Sequence, residues 1–210
     1  MPTICPTITA TTIDEYNMQM KEVAPFITRV HIDLADGVFA PTKLIDIKDV
    51  WWPAGIQADI HVMYQAITPY IKDLIALQPQ LVVVHAEAAG TFSKISHTLQ
   101  KHGIKVGVAL LAETQVDIIK PVLKSIDHVL IFSGDLGYFG GHAKMDLLSK
   151  IREIKKINTT VEIGWDGGIN TENIRKLVLG GVDVLNVGGS IHKTKDPRIA
   201  YDTLKALASN

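Results

Sequence analysis

Four side chains able to bind a divalent metal stand at or near the tails of apolar runs. They are His31 and Asp33 in Arg29-Val-His-Ile-Asp-Leu, His61 in Ala58-Asp-Ile-His-Val-Met, and Asp166 in Val161-Glu-Ile-Gly-Trp-Asp-Gly-Gly. Two imidazoles with two carboxylates suit one divalent ion of the Zn, Mn, Fe or Co kind better than Ca, which prefers an all-oxygen shell. His31 and Asp33 are two residues apart, so on a strand they share a face. Each residue taken singly has an ordinary alternative. A strand-end histidine is commonly a hydrogen-bonded core residue, and an Asp before Gly-Gly commonly sits in a turn. Four together at strand ends favour the ligand reading, and with it an enzyme.

Three glycine clusters carry a second chemistry. Gly137-Tyr-Phe-Gly140-Gly141 precedes His142, Gly167-Gly168 follows Asp166, and Gly188-Gly189-Ser190 follows Val187. Glycine lets backbone N–H groups approach phosphate oxygens, and a helix N-terminus favours the anion. Gly188, Gly189 and Ser190 are the best donors, with Gly167 and Gly168 next. The plainer reading is that these glycines only make tight strand-to-helix turns.

Elements must bring these residues together. Apolar runs at 3–9, 29–33, 58–63, 81–85, 105–110, 128–132, 160–163 and 182–187 read as buried strands. Helical patterns fall between them at 13–23, 69–77, 91–102, 116–124, 145–157, 171–179 and 199–207, with a short helix possible over 46–51. Thr12-x-x-Glu15 is a capping-box pattern, Asn170-Thr-Glu-Asn opens a helix, and Gly103, Gly180 and Gly181 fall where left-handed caps belong. Alternation of strand and helix means parallel βαβ units. Eight of them predict an α/β fold, a single (β/α)8 TIM barrel over residues 1–210, with an open doubly wound sheet as the alternative. In such a barrel the strand carboxyl ends carry the chemistry, and the loops after strands seven and eight bind phosphate.

The chain of 210 residues is 47% hydrophobic, enough for a substantial core. Its 21 basic and 22 acidic residues argue against a dedicated nucleic-acid or polybasic membrane surface. Cys5 is the only cysteine, which excludes an internal disulfide, fits a reducing compartment and reads as core. No run of about 18 apolar residues and no signal pattern is visible, so a soluble, cytoplasmic protein with no membrane partner is expected.

The chain resembles the ribulose-phosphate 3-epimerases. The family's His-x-Asp-x-Met-Asp-Gly-x-Phe-x-Pro block reads His31-Ile-Asp-Leu-Ala-Asp-Gly-Val-Phe-Ala-Pro41 here. Its Asp-x-His-Leu-Met, His-x-Glu-Ala and Asp-Gly-Gly-[Val/Ile] motifs read Asp59-Ile-His-Val-Met63, His85-Ala-Glu-Ala88 and Asp166-Gly-Gly-Ile169. The resemblance implies a metal-dependent ketose-phosphate 3-epimerase, with His31, Asp33, His61 and Asp166 as ligands of one divalent metal and Asp33 and Asp166 as the acid/base pair. D-Ribulose 5-phosphate and D-xylulose 5-phosphate are the substrates it implies. It further implies substrate contacts by Thr7, Met63, Gly140, Gly141 and His142, a small-molecule sugar phosphate as partner, and a homo-oligomer.

The chain also departs from the family pattern. Ala35 and Phe132 stand where the family has site methionines, His142 replaces a Gln, and the loop over 134–142 has no proline. Gly164-Trp165 reads as one residue more before Asp166, which turns Asp166 outward in a regular strand unless a bulge absorbs it. Altered walls leave open another ketose phosphate such as a hexulose 6-phosphate, an isomerising barrel, or a non-catalytic sugar-phosphate-binding protein. His85 and Glu87 read as either support for the ligands or rim residues. Trp51-Trp52-Pro53 reads as a buried wedge in preference to an exposed aromatic patch at a subunit contact.

Overall fold

The computed structural model describes residues 2–136, 138 and 141–209. Eight strands, β1 (Thr3–Ile8), β2 (Arg29–Ala35), β3 (Gln57–Met63), β4 (Leu81–His85), β5 (Lys105–Leu110), β6 (His128–Phe132), β7 (Glu162–Asp166) and β8 (Val184–Val187), pair in chain order and close into a barrel. Every pairing is parallel, and β1 closes the ring on β8 through Thr3 to Pro6. The expected (β/α)8 barrel is therefore the fold, and the open sheet is excluded.

Strands covered on both faces need continuous apolar runs, and Leu81-Val-Val-Val-His85 is buried at every position. Outward residues such as Ile32, Ile60, Val82 and Trp165 pack with Tyr16, Met20, Leu74 and Leu99 in one large core between strands and helices. Full burial of side chains this size is worth about 1.5–3 kcal/mol each. A smaller inner cluster of Leu81, Val83, Ala109 and Leu130 fills part of the barrel interior. Cys5 is buried and free.

The helices are α1 (Ile13–Val23), α2 (Ile71–Leu77), α3 (Phe92–Gln100), α4 (Leu148–Ile157), α5 (Ile174–Leu179), α6 (Gly189–His192) and α7 (Pro197–Ser209). Thr12 caps α1 by accepting from Glu15 N, but the Glu15 carboxylate returns to Thr11, through its N–H and its hydroxyl, and not to Thr12. The helix expected over 116–124 is only a 3-10 turn at Val116–Ile119. Pro121 has no N–H to give an α-helical ladder and its ring crowds the preceding turn. Likewise α5 starts at Ile174, because Asn170 Oδ1 accepts from Glu172 and Asn173 N–H and holds residues 170–173 in a turn. Of the two glycines after α5, Gly181 takes the left-handed conformation (φ 96°) and Gly180 does not. Among the described residues no helix is long and apolar enough to cross a membrane.

β7 differs most from expectation, running over Glu162–Asp166 instead of ending at residue 163. Gly164 lies inside the strand because a Cβ there would stand 2.4 Å from His128 Nε2. Register is continuous on both sides, Phe132 opposite Asp166 and Asp166 opposite Asn186. No bulge is needed: Glu162, Gly164 and Asp166 face inward while Ile163 and Trp165 are buried outward. Trp51, expected as a buried wedge, is 39% exposed; its indole N–H reaches Asn17 Oδ1 at 2.7 Å, a partner on the outer face of α1.

Candidate metal and phosphate site

β2, β3 and β7 deliver His31, Asp33, His61 and Asp166 to the carboxyl end of the barrel, all four buried. One ligand atom from each lies within 4.8 Å of every other. His61 Nδ1 is 3.0 Å from Asp33 Oδ1 and 3.8 Å from Asp166 Oδ2. His31 Nε2 is 3.3 Å from Asp33 Oδ1 and 3.7 Å from Asp166 Oδ2, yet makes no well-formed hydrogen bond. A buried ring nitrogen aimed at two carboxylates without a bond is what a shared cation would satisfy. The donor set therefore fits one divalent metal, with imidazole nitrogen and carboxylate oxygen converging from three strands.

Electrostatics split the two carboxylates. Burial raises the pKa of both. Around Asp33, the adjacent His31 ring, the hydrogen bond with His61 and the charge of both outweigh burial and hold it well below the usual carboxylate range. Asp166 lacks that company: burial first, then the Asp33 charge, push it well above. Burial also keeps His61 down at about 4, whereas the neighbouring carboxylates of Asp33 and Asp166 overcome burial to raise His31.

A cavity of about 250 Å³ opens above the cluster. Asp33, Met63, Phe132 and Asp166 line its deep end, and Gly167, Gly168, Gly188, Gly189 and Ser190 its rim. Thr7 lines it too, with a buried hydroxyl that has no hydrogen-bond partner among the described residues. Gly167 and Gly168 have a packing role besides. Both have positive φ, and a Cβ on either would come within 2.1 Å of the loop after β6, at Gly134 N and Ala143 N. Ser190 Oγ donates to Ile169 O at 2.6 Å, joining the loops after β7 and β8.

Other expected contacts divide. Gly141 lines the cavity, while Gly140 lies outside the described residues. His142 does not line it: the side chain is exposed and its carbonyl turns inward toward Ser133 Oγ. Ala35 is packed away with Ala40, Leu44 and Met63, so of the two altered wall positions only Phe132 meets the cavity. Thr9 and Asn186 were not singled out from the sequence. Thr9 Oγ1 donates to Asp33 Oδ2 at 2.7 Å, and Asn186 Oδ1 is a buried, unpartnered acceptor on the cavity wall. An asparagine inside the apolar run Val184–Val187 was a legible signal. Lys193 stands at the rim with Ser190.

The ribulose-phosphate 3-epimerase family model matches residues 3–192. The chain belongs to that family. Membership makes it an isomerase of the carbohydrate-phosphate epimerase type. Ribulose-phosphate 3-epimerase of Helicobacter pylori is 30% identical over 184 residues, 84% of each chain. The Bacillus subtilis enzyme of the same name is 27% identical over 184 residues, covering 84% of this chain and 85% of its own. Among solved structures, 3-hexulose-6-phosphate synthase from Salmonella typhimurium superposes with a TM-score of 0.75 at 15% identity, covering 99% of this chain and 98% of that one, a likeness of fold. Of the departures from the family pattern, Phe132 lies on the cavity wall, His142 in the β6 loop, and Ala35 in the packing behind the wall.

Proposed function

We propose that the protein is a metal-dependent ketose-phosphate 3-epimerase that interconverts D-ribulose 5-phosphate and D-xylulose 5-phosphate. The observation that carries this reading is the pair Asp33 and Asp166, both lining the cavity within one buried histidine–carboxylate cluster, with Asp33 pushed down and Asp166 up in pKa. Inverting a carbon beside a ketone needs one group to take the C3 proton and a second to return a proton on the other face. Two neighbouring carboxylates whose environments push them apart are one base and one acid. Asp33, the more acidic of the two, removes the proton as carboxylate in one direction; Asp166, the less acidic, returns one, and the roles exchange in reverse. Thr9 holds Asp33 Oδ2, which orients the carboxylate toward the cavity.

His31, Asp33, His61 and Asp166 would hold one divalent ion of the Zn, Mn, Fe or Co kind. When bound, a divalent ion supplies positive charge against the enediolate that forms between the two proton transfers. The rim Gly167, Gly168, Gly188, Gly189 and Ser190 accepts the phosphate through backbone N–H groups. Thr7 and Asn186 offer unsatisfied polar atoms to the sugar hydroxyls. Met63 and Phe132 exclude water from the reacting carbon.

Metal-loaded protein incubated with D-ribulose 5-phosphate in deuterium oxide should incorporate deuterium at C3 and form xylulose 5-phosphate. D33N and D166N should each lower kcat by about 10²–10⁴-fold, the usual worth of a general acid or base. Exchange at C1 or C2 instead would make the protein an aldose–ketose isomerase. No exchange with any of the four metals would remove the pentulose reading.

A further inference from the structure

His61 has two ring nitrogens, and only one faces the metal cluster. Its Nδ1 looks at Asp33 Oδ1, and its Nε2 lies 2.9 Å from His85 Nε2. The other nitrogen of His85, Nδ1, lies 3.3 Å from Glu87 Oε2. Glu87 Oε1 in turn accepts from Leu111 N–H at 3.0 Å, in the loop after β5. The outer end of that loop is gripped by Lys150 of α4, whose Nζ donates to the carbonyls of Leu111, Ala112 and Thr114 at 2.7–2.8 Å. His85 is 2% exposed and its ring is flanked by Phe39 at 4.8 Å and Phe132 at 5.7 Å.

Donor accounting along this line allows one solution, taking Nδ1 of His61 as the metal-facing atom of the reading above. A coordinating nitrogen offers its lone pair, so neutral His61 carries its hydrogen on Nε2. That hydrogen points at His85 Nε2, which must accept. The hydrogen of His85 then sits on Nδ1 and points at Glu87. An ionised carboxylate only accepts, and it ends the chain. Donors from His85, Thr114 and Leu111 outweigh burial and hold Glu87 ionised at about 2.

We infer that His85 and Glu87 are positioning residues for the metal: they fix the tautomer and ring orientation of His61 through a carboxylate–imidazole–imidazole chain, with the β5 loop and Lys150 anchoring its far end. Metal-ligating histidines are ordinarily held by a single acceptor on the free nitrogen. Here a whole second imidazole is interposed, because β4 lies between β3 and the loop that anchors the carboxylate. His31 contributes to the same cluster from the opposite side, so loss of the chain should weaken the metal without abolishing its site.

The test is Co²⁺ affinity by chelator competition, with the visible absorption of the bound ion as a second readout, on H85L, H85Q and E87M. A glutamine at 85 can accept from His61 Nε2–H with its carbonyl and donate toward Glu87 with its amide; a leucine can do neither. H85L should bind Co²⁺ about 10–100-fold more weakly with an altered spectrum. H85Q should stay within a few-fold of the parent, and E87M should fall between. Equal losses in H85L and H85Q would overturn the chain and leave His85 a packing residue between two rings. Unchanged affinity in H85L and E87M would overturn it as well. Long-range ¹H–¹⁵N spectra of the Zn²⁺-loaded parent protein test it without substitution: His85 should be the Nδ1–H tautomer, and finding Nε2–H would overturn it. Failure of the metal reading is distinguishable, since the unsubstituted protein would then bind neither ion at a 1:1 ratio.

Discussion

Among the described residues the barrel has a histidine–carboxylate cluster at each end of its bore, one closed by an arginine and one grouped as metal ligands are. At the amino end Arg29 donates from Nε to Asp59 at 2.7 Å and from both terminal nitrogens to Glu162 at 2.8–2.9 Å. His128 Nδ1 reaches the same Glu162 at 2.8 Å. The guanidinium is the cation that this group of carboxylates requires, and it is built into the chain. At the carboxyl end the ion pairs of His31, Asp33, His61 and Asp166 are, among the described residues, with one another. A buried anion pair without its own cation is either neutralised by a proton or completed by an ion from solution. Residue types alone do not separate the two clusters. Whether the cluster contains its counter-charge does.

R29M separates the two ends most sharply. Removing the guanidinium strands Asp59 and Glu162, and breaking a buried charge set of this kind costs about 3–5 kcal/mol. Urea unfolding should show that loss, while Co²⁺ affinity of the folded protein stays within a few-fold of the parent. A stable R29M protein would mean that the amino-end cluster is not held by its cation. D166N should act in the opposite sense. In metal-free protein it relieves the repulsion with Asp33 and leaves stability unchanged or higher. Metal at 100 times its Kd should stabilise the unsubstituted protein by about 2.7 kcal/mol, and D166N should lose most of that gain. An equal metal-induced rise in melting temperature in both proteins would move the ion away from Asp166.

G164A tests the seam between the clusters. The new Cβ would stand 2.4 Å from His128 Nε2 and 2.9 Å from Leu130 Cδ1. Overpacking of this kind costs about 1–3 kcal/mol, read from thermal or urea unfolding. Smaller still is the effect of pH. Glu162 is depressed by Arg29 and His128 against the opposing effect of burial. Its folded value lies below its unfolded one, so its stabilisation is fully present above about pH 4.3 and is lost only as pH falls further. His31 is raised, and its imidazolium must release a proton before it can coordinate. Metal affinity should therefore fall from pH 8 to pH 6, by up to roughly tenfold per pH unit for each proton displaced. Isothermal titration with Co²⁺ at several pH values checks this; an affinity flat over that range would show that no proton leaves on binding.

Much of the site was legible because the barrel makes strand position into spatial position. His31-x-Asp33 share a face by alternation, and Asp59-x-His61 follows the same rule while sending its two members to opposite ends of the bore. Local signals misled where a single residue served a distant partner. Gly164 reads as a strand breaker, yet its missing side chain makes room for His128. His142 reads as a substrate contact from its neighbours in sequence, but the turn of the loop points its side chain to solvent. Pro121 was visible in a run otherwise patterned as a helix, and its lack of an N–H decided the outcome.

The amino-acid sequence by itself determined the alternation of strands and helices, the inward placement of His31, Asp33 and His61, and the glycine-bearing loops at the phosphate end. These are properties of local period and residue type, and they need no partner to be read. Tertiary structure alone decided that Asp33 and Asp166 ionise apart and that the buried polar atoms of Thr7 and Asn186 line one cavity. It also decided that Arg29 completes the lower cluster and that His61 leans on His85 and Glu87. Charge balance and hydrogen-bond direction depend on distances between strands far apart in the chain, and only closure of the barrel sets those distances.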